Sequence, residues 1–369
     1  MGKVRVAVIG LGFGGEFVPI YQQYNDADCV AACRRNKQKL DDFTSRYHID
    51  KGYDDYRKLL QDPDIDAVHI NSDLTNHGWM AIEALKAGKH VASTVTMSLK
   101  QEECEEIVHL EDETGKVYMM METAVYTREF LYVKKLYDEG SMGKLQFLRG
   151  SHQQNMSLPG WPDYWYGLPP MYYPTHAVAP LSAILGKPVA QVRCLGSGRI
   201  NEEYIKNYGS PFAAESMQLT FHDSDVTGEV TRTLFDTIRQ YRESFDFYGT
   251  KKSFEWEQCI GDHPVVFSGF EDVQRVKIPD TDWMLPKEIA PFALENQVID
   301  EQHVSFVQGS GHGGSHPHMV HEFVSAILEN RKSHVSAKVA ANWTVCGLLA
   351  HESAMNGGVV LEMPRWAQF

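Results

Sequence analysis

An apolar, β-branched run ending in spaced glycines constrains this chain more than any other stretch: Val6-Ala-Val-Ile9 leads into Gly10-Leu-Gly12-Phe-Gly-Gly15. Glycines in the G-x-G-x-x-G order between a strand and a helix leave few folds open. Gly10 permits the tight turn out of the strand. Gly12 removes the side chain that would keep a pyrophosphate off the backbone, and Gly15 lets the next helix approach the sheet. The free N–H groups and the dipole at a helix start then favour phosphate. The pattern predicts a dinucleotide-binding unit with Gly10, Gly12, Phe13 and Gly15 at the cofactor.

The residues that follow continue the theme. Strands are expected over 5–9, 29–33, 67–70, 90–93 and 116–121, with helices over 37–47, 56–61, 78–87 and 101–114 between them. Strands alternating with helices predict a parallel, doubly wound sheet, whose ligands lie at the carboxyl ends of the strands. That brings 71–77, 93–97 and 122–126 around one crevice, so Asn71, His77, Thr94, Thr96 and Glu122 join the cofactor candidates. After Tyr126 the pattern changes. A helix over 129–139, a strand over 145–150 and a Trp/Tyr/Pro-rich loop over 161–173 precede alternating runs at 189–195, 214–221, 228–235, 240–248 and 253–257. These predict a mainly antiparallel sheet in an α+β second domain. Residues 259–310 read as loop-rich, and helices over 318–330 and 337–355 close the chain. The expected boundary falls at 124/125, dividing a dinucleotide-binding domain from a substrate-binding one.

The 369 residues favour two domains, and 43% hydrophobic with 23% charged residues suits a soluble globular chain. A net charge of −14, from 35 basic and 49 acidic residues, argues against nucleic acid or an anionic membrane as partner. No apolar run is long enough to span a bilayer. A first strand starting at Lys3 leaves no room for a signal peptide, and the six scattered cysteines read as reduced thiols, so a cytoplasmic location is expected.

The chain also resembles the Gfo/Idh/MocA family, which includes glucose–fructose oxidoreductase and inositol dehydrogenase. The resemblance rests on the glycine fingerprint, Asp66-Ala-Val-His-Ile70, Asn76-His77, Ala84-Leu-Lys-Ala-Gly-Lys-His-Val91, Gly140-x-x-Gly143-Lys and Tyr248-Gly-Thr-Lys. It implies a Rossmann domain, a second domain with a large open sheet, assembly into dimers or tetramers through that sheet, and NAD(P)-dependent oxidation of a carbohydrate hydroxyl. Three departures stand out. The family's Glu-Lys-Pro triplet is replaced by Thr94-Val-Thr96. Its Asp-x-Gly-x-His element reads Tyr172-Tyr-Pro-Thr-His176, and the acid that binds ribose after the second strand is absent from Cys33-Arg-Arg-Asn36. These departures resemble a subgroup of NAD-dependent glycosidases and glycoside 3-dehydrogenases, as do Glu122-Thr-Ala-Val-Tyr126, Tyr173-Pro-Thr-His176 and Gly311-His-Gly-Gly-Ser-His316.

Hydride transfer requires that the substrate hydroxyl lose its proton. His176 is the first candidate base because imidazole titrates near neutral pH. Tyr126 is the second, if a nearby cation such as Arg128 lowers its pKa. Thr94 and Thr96 hydrogen-bond but cannot act as bases. Trp161, Trp165 and Tyr173 suit stacking on sugar faces, with core packing as the alternative. His312, His316, His318 and His321 form the densest histidine cluster. Its spacing matches no zinc signature and no cysteine joins it, so no metal is expected, and His312 and His316 are read as sugar-binding. Arg34 and Arg35 leave room for a 2′-phosphate and so for NADP, whereas the subgroup implies NAD; our reading is NAD with NADP open.

The expected function is oxidation of a hydroxyl, C3 in the subgroup, of a sugar or glycoside. The alternative is a hydrolase that begins with the same oxidation. A 3-keto sugar has an acidified C2–H, whose loss expels the C1 substituent; water then adds and the retained hydride restores the sugar, without the paired carboxylates of ordinary glycosidases. A non-catalytic nucleotide sensor ranks last.

Overall fold

The computed structural model describes residues 2–294 and 311–369. The described residues form two compact units: Met1–Arg128 with Asp280–Ala340, and Glu129–Pro279 with Ala341–Phe369. The first unit is therefore discontinuous in sequence, taking in a late stretch, Asp280–Ala340, that follows most of the second unit.

The first unit begins β1 (Val4–Ile9), α1 (Val18–Gln23), β2 (Ala27–Cys33), α2 (Lys37–Tyr47), β3 (Lys51–Tyr53), α3 (Tyr56–Leu60), β4 (Ala67–Ile70), α4 (His77–Lys86), β5 (His90–Ser93), α5 (Gln101–Thr114) and β6 (Tyr118–Met120). Its six-stranded sheet has the order β3-β2-β1-β4-β5-β6 with every pair parallel. The order reverses between β1 and β4, the place where doubly wound sheets open a crevice. Strand β4 is buried at every position, as a central parallel strand covered on both faces must be. Local signals set the helix ends: the Asn36 side chain caps α2, and α5 stops at left-handed Gly115.

The second unit contains α6 (Arg128–Asp138, entered from the first unit), β7 (Leu145–Gln153), α7 (Thr175–Leu185), β8 (Val189–Ser197), α8 (Glu202–Tyr208), β9 (Ala214–Phe221), β10 (Thr227–Thr233), β11 (Arg242–Gly249), β12 (Ser253–Glu255), β13 (Val265–Phe267) and β14 (Val273–Arg275). The chain then supplies α9 (Gly311–Leu328) to the first unit, α10 (Ala337–Met355) across the division, and β15 (Leu361–Glu362) to the second. The nine-stranded sheet runs β14-β13-β12-β11-β7-β10-β9-β8-β15, antiparallel except where β10 meets β7. The fold is thus a Rossmann α/β unit followed by a large, mainly antiparallel α+β unit.

Helix α7 is absent from the sequence reading. It is buried almost all round, so no amphipathic stripe betrays it, and Pro180 inside it reads as a breaker. The loop-rich reading of 259–310 misses β13 and β14, which are three residues each; its part over 295–310 lies outside the described residues.

Candidate functional site

In the first unit, β1 carries the chain into the fingerprint. Gly10 has φ +83, and a Cβ there would lie 2.2 Å from the Asn71 carbonyl oxygen, so only glycine fits. Gly12 is different: it is exposed, and a Cβ there would meet nothing within 4 Å among the described residues. The fold does not require a glycine at this place, whereas a ligand lying over the turn would. Asn71 supplies a second such observation. Its N–H bonds Ile9 O at 2.7 Å and its Nδ2 donates to His69 O at 3.2 Å, while its Oδ1 is buried without a hydrogen-bond partner among the described residues. An open glycine and a buried unsatisfied acceptor at the reversal between β1 and β4 fit a nucleotide with hydroxyl donors and phosphates.

Two details differ from expectation. After Gly12 the chain forms a 3-10 turn, Phe13–Glu16, before α1, whose Pro19 cannot donate a backbone bond to the preceding turn. The close approach to the sheet occurs at Gly14, where a Cβ would lie 2.6 Å from Val8 Cγ1. Gly15 instead meets Phe43 and Tyr47 of α2 at 3.3 Å.

The remaining cofactor candidates line the same region with unequal freedom. The ring nitrogens of His77 lie 2.8 Å from Thr96 O and 2.9 Å from Ser72 O. Thr94 Oγ1 donates to Ile70 O at 3.2 Å and sits 3.3 Å from His77 Nε2. His77 therefore ties the turn after β4 to the turn after β5, and burial lowers its pKa. Thr96 and Glu122 are fully buried, and Glu122 Oε1 accepts the Ala124 N–H at 3.0 Å, capping the turn Thr123–Val125. His77, Thr96 and Glu122 are thus buried in the stretches that follow β4, β5 and β6. Arg34 follows β2 directly and is half-buried, its N–H bonded to Tyr53 O at 3.0 Å; its guanidinium makes no side-chain bond among the described residues.

The late segment of the first unit returns to the fingerprint. His312, Gly313 and Gly314 are left-handed (φ 47, 67 and 80) and break the start of α9. This kink sets the rings of His312 and His316 at 5.7 and 5.5 Å from Phe13, and His316 at 4.6 Å from Phe17. His312 Nδ1 is 3.2 Å from His316 Nε2, and His316 Nδ1 is 3.4 Å from Glu16 Oε2. His69 completes the group, its ring 4.5 Å from Phe17 and its Nδ1 3.1 Å from the Tyr21 hydroxyl. Burial holds His69 neutral, its pKa pushed down to about 3, and lowers His316 well below the usual imidazole range, with His312 and His69 adding to the effect. His316 is 1% exposed and packs against Phe13, Phe17 and Glu16 of the fingerprint loop. The other two histidines of the sequence cluster turn elsewhere: His318 Nε2 lies 2.7 Å from Thr281 Oγ1 and His321 Nδ1 2.5 Å from the Tyr24 hydroxyl. Among the described residues no group of three or more metal-ligating side chains could hold an ion.

The Tyr126 hydroxyl is buried with no hydrogen-bond partner among the described residues, and burial, with Glu322 adding, raises its pKa well above the usual phenol value. Arg128, expected to lower it, instead donates to Ala293 O at 3.1 Å and stands 3.8 Å from Asp280.

In the second unit, α7 reaches the sheet over Gly150 of β7, where a Cβ would lie 2.0 Å from Ala177 O. Two residues further along the same face stands His152, and one residue before Ala177 stands His176. Their rings are 5.1 Å apart. Glu243 of β11, in register with His152, places Oε1 3.6 Å from His176 Nε2 and 4.0 Å from His152 Nε2, and accepts the Tyr241 hydroxyl. The Tyr173 hydroxyl lies 3.4 Å from His176 Nε2. An aromatic path leads away from it, with Trp165 5.1 Å from Tyr173 and the 38%-exposed Trp161 6.4 Å from Trp165. The structure therefore brings His176, Tyr173, Trp165 and Trp161 together. It adds His152, Glu243 and Tyr241, which the sequence reading missed; the available signal was a histidine on the apolar phase of β7, whose companions Leu148 and Gly150 are buried.

Residues 4–122 match the model of the oxidoreductase family with an NAD-binding Rossmann fold, Gfo/Idh/MocA. An alpha-N-acetylgalactosaminidase of Shewanella oneidensis is 24% identical, over 99% of this chain and 85% of the relative. A glycosyl hydrolase family 109 protein of Shewanella sp. (strain W3-18-1) is 25% identical, over 96% and 83%. Among solved structures, levoglucosan dehydrogenase in complex with NADH and levoglucosan superposes with TM-score 0.78 at 19% identity, covering 98% of this chain and 100% of that one. Myo-inositol 2-dehydrogenase from Lactobacillus plantarum gives 0.74 at 18%, over 98% and 100%. These structural likenesses carry the two-unit fold.

Proposed function

We propose that the chain, whose residues 4–122 match the oxidoreductase family with an NAD-binding Rossmann fold, oxidises a hydroxyl, C3 in our reading, of a sugar or glycoside. The carrying observation is His176 with Tyr173, Glu243 and His152 around it, in a chain whose first unit has the NAD-binding fold. NAD, when bound, supplies the hydride acceptor. Gly10, Gly12, Phe13 and Asn71 would hold it, with Arg34 near its adenosine ribose. His176 takes the proton of the substrate hydroxyl, Tyr173 orients that hydroxyl, and Trp161 and Trp165 present ring faces to the sugar.

A second reading, hydrolysis opened by the same oxidation, is favoured by the names of the relatives, an alpha-N-acetylgalactosaminidase and a family 109 glycosyl hydrolase. One experiment separates the two. The purified protein is incubated with aryl glycosides, with and without added NAD. Accumulating NADH and a keto-glycoside support the dehydrogenase. Aglycone release without added NAD supports the hydrolase, and no turnover across a broad glycoside panel removes both. A homodimer or homotetramer in the cytoplasm belongs to the same proposal, its assembly checked by light scattering. No helix among the described residues is long and apolar enough to cross a membrane.

A further inference from the structure

The register of the second sheet sets four ionisable residues in one line. Glu243 on β11 faces His152 on β7, His152 faces Arg232 on β10, and Arg232 faces Glu215 on β9. Period-two alternation puts all four on one face. Along β9 and β10 that face is otherwise apolar, with Met217, Leu219 and Val230 buried. Arg232 and Glu215 are themselves completely buried.

Their contacts converge on one short piece of chain. Glu215 Oε2 accepts the Met171 N–H at 2.7 Å, and Arg232 Nε donates to Tyr173 O at 3.2 Å. Each is held from its far side. Glu215 Oε1 lies 2.7 Å from His351 Nδ1 of α10. Arg232 Nη1 donates to Thr233 O at 2.6 Å and His152 O at 3.3 Å, and Nη2 to Gln154 Oε1 at 2.9 Å. Its guanidinium carbon stands 5.6 Å from the Tyr173 ring centroid. Helix α10 closes the opposite side: a Cβ on Gly347 would lie 2.1 Å from Met171 O. Burying a guanidinium among neutral acceptors is costly, and apolar side chains of similar volume fill such places at lower cost. Burial also lowers the Arg232 pKa to about 10. What the charged pair does that an apolar pair could not is bind both ends of the turn from Met171 to Tyr173, one by its N–H and one by its carbonyl.

We propose that Glu215 and Arg232 are positioning residues, which fix this turn on the sheet and so set the Tyr173 hydroxyl and the His176 ring for reaction. The proposal rests on the reading of His176 and Tyr173 as the groups that handle the substrate hydroxyl. Its test therefore has one arm that needs no substrate. Ring resonances of His176 are followed by NMR across pH in the full-length protein, assigned through His176→Gln. The groups facing His176 are Tyr173 on its own turn, His152 from β7, Glu243 from β11 and Tyr241 beside it. Glu215→Ala and Arg232→Met are expected to move the His176 titration midpoint and tautomer signals, and Glu215→Gln, which keeps an acceptor for Met171, to return them toward wild type. On a glycoside that is turned over, the two disruptive variants lower kcat by about 10- to 100-fold, with KM and NADH affinity unchanged. Should either fail to fold, Glu215→Asp, which keeps the charge but shortens the reach to Met171, takes its place with the same expected shift. His176 signals that superimpose on wild type in the folded variants overturn the proposal. Absence of turnover by the wild-type protein removes the functional reading and leaves the NMR arm to decide the positioning role.

Discussion

In the first unit the cradle at Gly10, Gly12 and Asn71 offers main-chain atoms and one short neutral side chain at strand ends; in the second unit the His176 cluster is made of ionisable side chains on and beside a sheet. The cradle at Gly10, Gly12 and Asn71 is shaped by backbone that carries no net charge and is set by sterics, as the 2.2 Å approach of a Gly10 Cβ to Asn71 O makes plain. The His176 cluster is set by hydrogen bonds and charge, with Glu243 within 4.0 Å of two histidines. A site of the first kind binds a constant partner and tolerates changes of pH; a site of the second kind moves protons. The comparison teaches that binding and chemistry here have separate structural sources, and that each should fail without the other.

The largest expected effect is on chemistry alone. His176→Ala should lower turnover at least about 100-fold, the usual worth of a general base, while NADH affinity, read by fluorescence titration, stays at the wild-type value. Loss of both together would break the comparison.

The second effect tests the exception, the ionisable histidines buried in the first unit. His69 is held neutral, its pKa lowered from 6.5 to about 3. The unfolded chain therefore binds more protons than the folded one between these values. Stability is fully present above pH 6.5 and falls as pH drops toward 3, by about 2 kcal/mol at pH 5 from this group. Urea denaturation across pH should show that slope, and His69→Gln should flatten it.

Gly12→Val comes third. No atom of the described residues lies within 4 Å of a Cβ at Gly12, so the melting temperature should hold while dinucleotide affinity falls about tenfold or more, roughly 1.4 kcal/mol. A fall in melting temperature with affinity kept would make Gly12 a turn residue and nothing more. The smallest effect concerns the adenosine ribose. Arg34→Asp should shift the ratio of NAD to NADP affinity toward NAD by about threefold, since a carboxylate there accepts ribose hydroxyls and repels a 2′-phosphate; an unchanged ratio would remove Arg34 from the cradle.

The same contrast explains what could be read in the sequence. Gly10, Gly12 and Phe13 are contiguous, and their job is local steric chemistry, so the motif announces itself. Helices α2, α5 and α10 and strands β4 and β5 were legible to the residue because caps, glycine stops and burial agreed there. His176 and Tyr173 were legible through a short motif. Their neighbours His152, Arg232, Glu215 and Glu243 were not, because they come from four strands and meet only through register, which no local pattern encodes. Proximity in sequence misleads for a related reason at Tyr126: Arg128 is two residues away, but the fold turns it to Ala293 and Asp280.

The divided first unit has a consequence for synthesis. Strand β6 takes its Met120 N–H bond from Val335 O, Ser333 Oγ bonds Tyr118 O at 2.8 Å, and Glu111 caps Ala337. These partners leave the ribosome more than 200 residues later. The nascent chain therefore carries β6 and α5 without these bonds through translation of most of the second unit, and residues 1–128 expressed alone should yield a poorly folded fragment.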